Sequence, residues 1–303
     1  MSRTILPAAI LAVVLPLLAS EPPPVRIITA DSSLVLVPVS VTDALGAPVT
    51  GLHMGDFQLY EDNVEQKISH FALEDTPVSV GVLFDVSGSM RHKMRESSGA
   101  VAAFLRQTNP ADEFFLVEFG ERARLRIPFT GDSDEIFQRV ARTRPFGRTS
   151  LLDAIHVALA QMKRAQNRRK ALVILSDGGD NRSRFSRGQI QEAMAESDVQ
   201  LYAIGIFEQD GPAKLTPEER GGPILLSVLA DRSGGRLYTV KSLDELPAVG
   251  ERIGNDLRTE YVLGYSSSND TRDGKYRHIR VRVASPREHW QTTYRRGYHQ
   301  PSQ

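Results

Sequence analysis

Between residues 77 and 258 the chain alternates short apolar runs with segments of helical period, and this alternation constrains the fold most strongly. The runs at 78–84 and 171–176 consist mainly of Val, Ile, Leu and Phe, which is typical of parallel strands buried on both faces. Further strands are predicted at 113–119, 199–206 and 235–240. Helices are predicted near 91–108, 133–141, 150–166, 187–196, 223–232 and 242–258. This rhythm predicts an α/β domain with a doubly wound, mostly parallel sheet over residues 77–250.

The segments on either side of this domain have β-strand patterns. The N-terminal β segment, residues 34–76, contains predicted strands at 34–43, 57–62 and 66–71, the last two joined by a turn at Asp62 and Asn63. The C-terminal β segment, residues 259–299, contains predicted strands at 260–265, 278–283 and 290–294. Neither segment alone buries enough apolar surface, whereas together they supply about six strands. We therefore predict that they pack into one β-sandwich, into which the α/β domain is inserted.

Composition narrows the class of function. The chain has 303 residues, a formal net charge of zero and no cysteine. A balanced charge argues against a nucleic-acid or membrane-surface partner. The basic clusters at 163–164 and 168–170 are interpreted as a solvated helix end. The absence of cysteine excludes disulfides, thiolate catalysis and zinc–thiolate sites.

The first twenty residues have the pattern of a secretory signal. Arg3 is followed by an almost wholly apolar run at 5–18, and a proline-rich linker follows at 21–33. The apolar run is shorter than the roughly twenty residues that a membrane span needs. We predict a signal peptide at 1–20 and a secreted or periplasmic protein in the cell envelope. An uncleaved anchor is the alternative, and only that alternative implies membrane contact.

Oxygen-bearing side chains follow the ends of two predicted strands. Asp85, Ser87 and Ser89 occupy alternate positions after the strand at 78–84, and Asp177 follows the strand at 171–176. Thr149 precedes a predicted helix. Asp85 alone has a second interpretation as a turn or cap residue, and Thr149 has one as a helix N-cap. Open α/β sheets place ligands at the carboxyl ends of their strands, which favours one shared site.

Two carboxylates and three hydroxyls suit a small, hard cation. We predict Mg²⁺, with Mn²⁺ and Ca²⁺ as alternatives. Asp153 and Asp180 lie close in sequence to the predicted ligands. They are interpreted as surface or cap residues rather than ligands.

These five residues resemble the metal-ion-dependent adhesion site of von Willebrand factor type A domains, which combines Asp-x-Ser-x-Ser with a distant Thr and a distant Asp. The resemblance covers roughly residues 77–250. It implies that Ser87 and Ser89 bind the ion directly, and that Asp85, Thr149 and Asp177 bind it directly or through water. The flanks resemble one subgroup, the von Willebrand factor type A-related proteins of Acidobacteria. That second resemblance lies in residues 39–43, 49–52, 56–62, 261–265 and 296–298.

The sequence favours a metal-dependent protein-binding module, of adhesion type, over an enzyme. Its expected partner is a protein that presents an acidic residue to the ion, and no nucleic acid or small-molecule substrate is expected. The loops at 181–186 and 208–222 are expected to select the partner. The seven histidines are scattered, and no Gly-x-Ser-x-Gly or Walker-type loop occurs. A structural envelope protein with a metal staple is one alternative, and a metal-dependent hydrolase is the other.

Overall fold

The computed structural model describes residues 34–44, 46–73, 76–207, 217–284 and 290–300, with the backbone alone for 217–220. The predicted signal peptide, the linker at 21–33 and residues 208–216 of the second predicted loop lie outside the described residues. The strands are β1 (Leu34–Thr42), β2 (Phe57–Glu61), β3 (Val64–Gln66), β4 (Ile68–Leu73), β5 (Val78–Asp85), β6 (Glu113–Phe119), β7 (Ala123–Thr130), β8 (Arg169–Ser176), β9 (Gln200–Gly205), β10 (Leu237–Thr239), β11 (Tyr261–Ser266), β12 (Tyr276–Val283), β13 (Gln291–Tyr294) and β14 (Gly297–His299). The α-helices are α1 (Met94–Leu105), α2 (Ser133–Ala141), α3 (Leu151–Met162), α4 (Arg187–Glu196), α5 (Pro217–Ser233) and α6 (Leu246–Arg258).

A six-stranded sheet in the order β10-β9-β8-β5-β6-β7 forms the centre of the α/β region. Its strands are parallel except β7, which pairs antiparallel with β6 at the edge. The mostly parallel sheet is confirmed, but β7 was not predicted. Its sequence, ARLRIPFT, contains a proline, and its residues Arg124, Leu125 and Arg126 are exposed to solvent. An edge strand permits such residues, whereas a strand buried on both faces does not.

Helices cover both faces of this sheet. The side chains of β5 alternate between the faces, because Val82 belongs to one apolar cluster and Leu83 to the other. The first cluster includes Val101 of α1, Val140 of α2 and Ile253 of α6. The second includes Ile155 of α3, Ile190 of α4 and Leu226 of α5. Both faces of the central sheet are therefore buried, which explains why the sequences of β5 and β8 are continuously apolar.

Three of the predicted helices differ from the observed ones at their beginnings. The helix predicted near 223–232 is α5 and begins earlier, at Pro217. The predicted helix near 91–108 is a 3₁₀ turn at Gly88–His92 followed by α1. The predicted helix at 242–258 likewise begins with a 3₁₀ turn at Leu243–Glu245, before α6. The first 3₁₀ turn has a consequence for the site, since it carries the chain from β5 directly into α1.

The two terminal β segments pair with each other. β1 lies antiparallel to β11 in a sheet ordered β13-β1-β11-β4, and β2 lies antiparallel to β12 in a sheet ordered β14-β12-β2-β3. Side chains of both sheets meet in one apolar cluster that contains Val37, Leu59, Tyr261 and Ile279. The apolar surface of each segment is therefore buried against strands of the other.

The predicted strand at 66–71 is wrong in its pairing. β2 and β3 form the hairpin, and Asp62 (φ 47°) and Asn63 (φ 68°) adopt the left-handed conformation that a two-residue hairpin turn needs. The hairpin ends at Gln66. Beyond Lys67 the chain enters the other sheet as β4, which pairs with β11.

The interpretation of the basic cluster at 168–170 as a solvated helix end is wrong for Arg169, whose side chain is buried. Arg169 begins β8, and its Nη2 donates to Oε2 of the fully buried Glu260 at 2.5 Å. Gln200 and Tyr202 of β9 also donate to Glu260, at 2.7 Å and 3.1 Å. Glu260 lies immediately before β11, so this buried network joins the central sheet to the terminal β segments.

Candidate metal centre

The predicted ligands lie where the chain reverses the order in which it adds strands to the central sheet. β5 and β8 are parallel neighbours with Phe84 opposite Leu175, so that Asp85 and Ser176 end the two strands side by side. The chain leaves β5 toward α1 on one face, and α4 follows β8 on the other. Such a switch point leaves a crevice at the carboxyl ends of the strands, which is where open α/β sheets bind ligands.

The loop after β5 gathers the first three predicted ligands. The Ser87 backbone N–H donates to Asp85 Oδ1 at 2.8 Å, which folds the loop back over its own first residue. The Oγ atoms of Ser87 and Ser89 are 3.1 Å apart. Asp85 and Ser87 are buried, whereas Ser89 is exposed. The three oxygens therefore extend from the buried end of β5 to the surface.

Asp85 is a buried carboxylate that is costly to ionise. Burial raises its pKa, and the nearby charge of Asp177 raises it further, to about 7. Hydrogen bonds act in the opposite direction: Ser176 Oγ donates to Asp85 Oδ2 at 2.6 Å, and Ser87 donates to the same carboxylate. Ser176 was not predicted as part of the site. Its position opposite Asp85 follows from the register of β5 and β8, which sequence alone does not specify.

Asp177 faces a buried cation. Its Oδ2 lies 3.6 Å from Nζ of Lys93, and both side chains are less than a tenth exposed. The Lys93 ammonium also donates to the carbonyl oxygen of Ile206 at 3.4 Å. Lys93 was missed in the sequence because it lies four residues beyond Ser89, outside the motif. The 3₁₀ turn before α1 brings it back toward Asp177.

The segment around Thr149 lies alongside the loop after β5. The Gly88 N–H donates to the carbonyl of Gly147 at 2.9 Å, and the Phe146 N–H donates to the carbonyl of Val86 at 2.7 Å. Gly147 has φ 81°, a left-handed conformation that favours glycine. Gly88 has no such conformation, but a Cβ there would lie only 3.3 Å from the Gly147 oxygen. Gly88 thus permits close approach of the two segments.

Thr149 is buried beside the site and does not cap the helix. α3 begins at Leu151, and its N-cap residue is Ser150. Thr149 instead exchanges two hydrogen bonds with Asn181, through its N–H to the Asn181 side chain and through its carbonyl to the Asn181 N–H, each 3.1 Å long. The segment before α3 is thereby tied to the loop after β8, which carries Asp177.

Asp153 and Asp180 have a different role from the one predicted. Asp153 is only 8% exposed, so it is not a surface residue. Its Oδ1 accepts the N–H groups of Arg184 and Phe185 at 2.8 Å and 3.2 Å. Asp180 accepts the Ser183 hydroxyl at 2.7 Å, and burial raises its pKa. The two carboxylates therefore hold the loop at 181–186 in place.

The donor set fits a hard divalent cation. It offers carboxylate and hydroxyl oxygens, the ligand types that Mg²⁺ prefers, and no nitrogen or sulfur. Among the described residues no cluster of three or more His, Cys, Asp or Glu side chains is suited to a metal. Any cation held here therefore depends on serine and threonine hydroxyls.

An open α/β sheet that ends in Asp85 and the Ser87 loop at its switch point, with the segment before Thr149 hydrogen-bonded alongside, belongs to the class of α/β domains with a ligand crevice at the carboxyl ends of the strands. The family is then given by comparison: residues 80–179 match the von Willebrand factor type A domain. This chain carries a von Willebrand factor type A domain. Domains of this family are in general protein-interaction modules.

Two solved structures and one curated sequence are similar to this chain. A von Willebrand factor type A structure from Catenulispora acidiphila has a TM-score of 0.51 and 14% identity, covering 79% of this chain and 73% of that chain. The domain of the type V pili tip protein Mfa5 from Porphyromonas gingivalis has a TM-score of 0.47 and 12% identity, covering 59% and 94%. An uncharacterised protein of Borreliella burgdorferi is 23% identical over 180 residues, 52% of each chain. This chain thus spans about half the length of that curated relative.

Proposed function

We propose that Asp85, Ser87, Ser89, Thr149 and Asp177 hold a divalent cation, Mg²⁺ in the first place, and that the site binds an acidic side chain of a partner protein. The observation that carries the proposal is the shared burial of Asp85 and Asp177. Burial first, and repulsion from Asp177 second, raise the pKa of Asp85 to about 7. A divalent cation would relieve that repulsion, while the exposed Ser89 leaves the site open to a partner.

The proposed function is binding rather than catalysis. A cation balanced by two carboxylates and several neutral hydroxyls keeps part of its positive charge, which a partner carboxylate can neutralise. Activation of a serine nucleophile requires a base in hydrogen-bond contact. The Ser89 hydroxyl contacts the Ser87 hydroxyl at 3.1 Å, and Ser87 in turn bonds Asp85, the carboxylate that the proposal assigns to the cation. The general role of von Willebrand factor type A domains in protein interaction supports the same conclusion.

We further propose that residues 77–250 form the binding domain and that residues 34–76 and 259–299 support it as one β-sandwich. The antiparallel pairing of β1 with β11 and of β2 with β12 supports this division. The signal-like pattern at 1–20 supports a location outside the cytoplasm. Among the described residues, no helix is both long and apolar enough to cross a membrane. Sequencing the mature N-terminus after expression in a bacterial host tests whether residues 1–20 are removed.

Calorimetric titration of EDTA-stripped protein with MgCl₂, MnCl₂ and CaCl₂ tests the cation site. We expect saturable binding of Mg²⁺ to the wild type, and its loss in Asp85→Ala and Ser87→Ala. Asp134→Asn is the matched control, because Asp134 is an exposed carboxylate in the first turn of α2. If the control and the Asp85 variant bind Mg²⁺ equally well, the proposed site is wrong.

Capture from an envelope extract tests the partner. Wild-type protein is expected to retain a protein in Mg²⁺ and to release it in EDTA, whereas Asp85→Ala retains none. A metal staple predicts the opposite pattern: chelation lowers the unfolding temperature strongly and leaves capture by the folded protein unchanged. If the wild type hydrolyses phosphoester or peptide substrates and Asp85→Ala does not, the result would favour the alternative of a metal-dependent hydrolase.

A further inference from the structure

A cavity lined by arginine adjoins the candidate metal centre. It has a volume of about 470 Å³, and its walls include Arg122, Arg124, Arg126, Arg139, Arg142 and Arg144. We call it the arginine pocket. Val86, which lies between the ligands Asp85 and Ser87, forms part of its wall, and Phe146 forms another part. A ligand that reaches the proposed ion from this side therefore passes the arginines.

A buried carboxylate orders two of these arginines. Glu118 at the base of the pocket accepts Arg126 Nε at 2.8 Å and Arg139 Nε and Nη2 at 2.7 Å and 2.9 Å. Burial alone would raise the pKa of Glu118, but hydrogen bonds from Arg139 and Thr143 and the charges of both arginines outweigh burial and lower it. Glu118 therefore stays ionised and fixes the base of the pocket in advance of binding.

The other four arginines are exposed, and none forms an ion pair with the described residues: Arg122, Arg124, Arg142 and Arg144. One further carboxylate, Glu121, lies in the wall, and its Oε2 is 3.9 Å from Arg182 Nε. Six arginines thus face two glutamates in a chain whose overall formal charge is zero. Clustering on this scale concentrates positive potential beside the metal centre.

We propose that the arginine pocket binds acidic side chains of the same partner whose carboxylate reaches the cation, so that the partner presents an acidic segment with several carboxylates. This inference rests on the proposed function and specifies its partner. Arginine guanidinium groups match carboxylates in paired, parallel hydrogen bonds. Phe146 is 74% exposed at the same wall and offers an apolar contact. A polypeptide can use that contact, whereas a polyphosphate chain cannot.

The test is fluorescence anisotropy of the full chain with a labelled peptide that contains several aspartates, beside a peptide with asparagine at those positions. Arg124→Gln combined with Arg142→Gln removes two exposed charges of the pocket. Arg164→Gln combined with Arg168→Gln is the control, since both residues are exposed and lie outside the pocket. We expect the pocket variant to bind the acidic peptide about tenfold more weakly, and with less dependence on salt. The control variant should match the wild type.

The outcomes separate this inference from the proposed function. Peptide binding that requires Mg²⁺ and Asp85 but is unchanged in the pocket variant overturns the inference and leaves the proposed function standing. Binding that needs the arginines but is the same in Mg²⁺ and EDTA supports the pocket and contradicts the metal-dependent function. The inference is also overturned if the acidic peptide does not bind, or if polyphosphate or heparin binds more tightly than the peptide and loses that affinity in the pocket variant.

Discussion

Replacing Asp85 by Asn should stabilise the metal-free protein, although it removes a metal ligand. The folded state raises the pKa of Asp85 from 3.8 to about 7, because burial and Asp177 disfavour its charge. Each pKa unit corresponds to about 1.36 kcal/mol, so ionised Asp85 destabilises the fold on the order of 4 kcal/mol above that pKa. Asparagine has the same shape, and its Oδ1 can still accept the Ser87 N–H. Its amide N–H can donate to Ser176 Oγ.

The direction of the pH dependence follows from proton binding. Between 3.8 and about 7 the folded protein holds a proton on Asp85 that the unfolded chain has released. The free energy of unfolding therefore falls as the pH rises through this window, which is the reverse of an ion-paired carboxylate. Asp85→Asn removes this fall. Groups remote from Asp85 contribute equally to both proteins, so the difference between the two unfolding free energies reports Asp85 together with its neighbour Asp177.

Urea unfolding in EDTA at about pH 5 and about pH 8 measures this difference. At the lower pH the unfolded chain has already released this proton, so the variant should be more stable by about 1–2 kcal/mol. At the higher pH the difference should grow to about 4 kcal/mol. Saturating MgCl₂ should then stabilise the wild type and leave the variant unchanged. If Asp85→Asn is no more stable than the wild type in EDTA at the higher pH, the assigned cost of burying ionised Asp85 beside Asp177 is refuted.

Three further predictions concern the buried carboxylates. Glu260→Gln leaves the Arg169 guanidinium without its buried counter-charge and should cost about 3–5 kcal/mol in urea unfolding; a change under about 1 kcal/mol would contradict the network. Tyr265→Phe removes a 2.6 Å hydrogen bond between β11 and Glu61 of β2 and should cost about 1.5–3 kcal/mol, with Tyr60→Phe, a partly exposed tyrosine of β2, as the control. The lowered pKa of Glu118 stabilises the fold above about pH 4.5, so the wild type should lose stability relative to Glu118→Gln as acid titrates this group, and parallel pH profiles would count against it.

The central sheet could be predicted because its signal is local. Strands buried on both faces require unbroken apolar sequence, and the runs in β5 and β8 supply it. The candidate site could be predicted for a related reason. Once β5 and β8 are parallel neighbours, residues at or just after their carboxyl ends share one edge of the sheet, and Asp85 and Asp177 do so.

The features that were missed depend on pairing between distant segments. β7 has a mixed, largely exposed sequence, and only its place at the edge beside β6 makes it a strand. Arg169 belongs to a basic cluster in the sequence, but the fold places its guanidinium against Glu260, 91 residues away. The hairpin of β2 and β3 was predicted through its turn, whereas the departure of β4 to another sheet follows from pairing with β11.

The sequence by itself determined the class of fold and the chemistry of the candidate ligands, because apolar period and side-chain type are properties of the chain. Tertiary structure alone decided how those ligands interact. The adjacency of β5 and β8 brings Ser176 to Asp85, the turn before α1 brings Lys93 to Asp177, and packing of α2 against the edge of the sheet assembles the arginine pocket. These are long-range juxtapositions, and their energies arise from burial and charge proximity that exist only after the chain has folded.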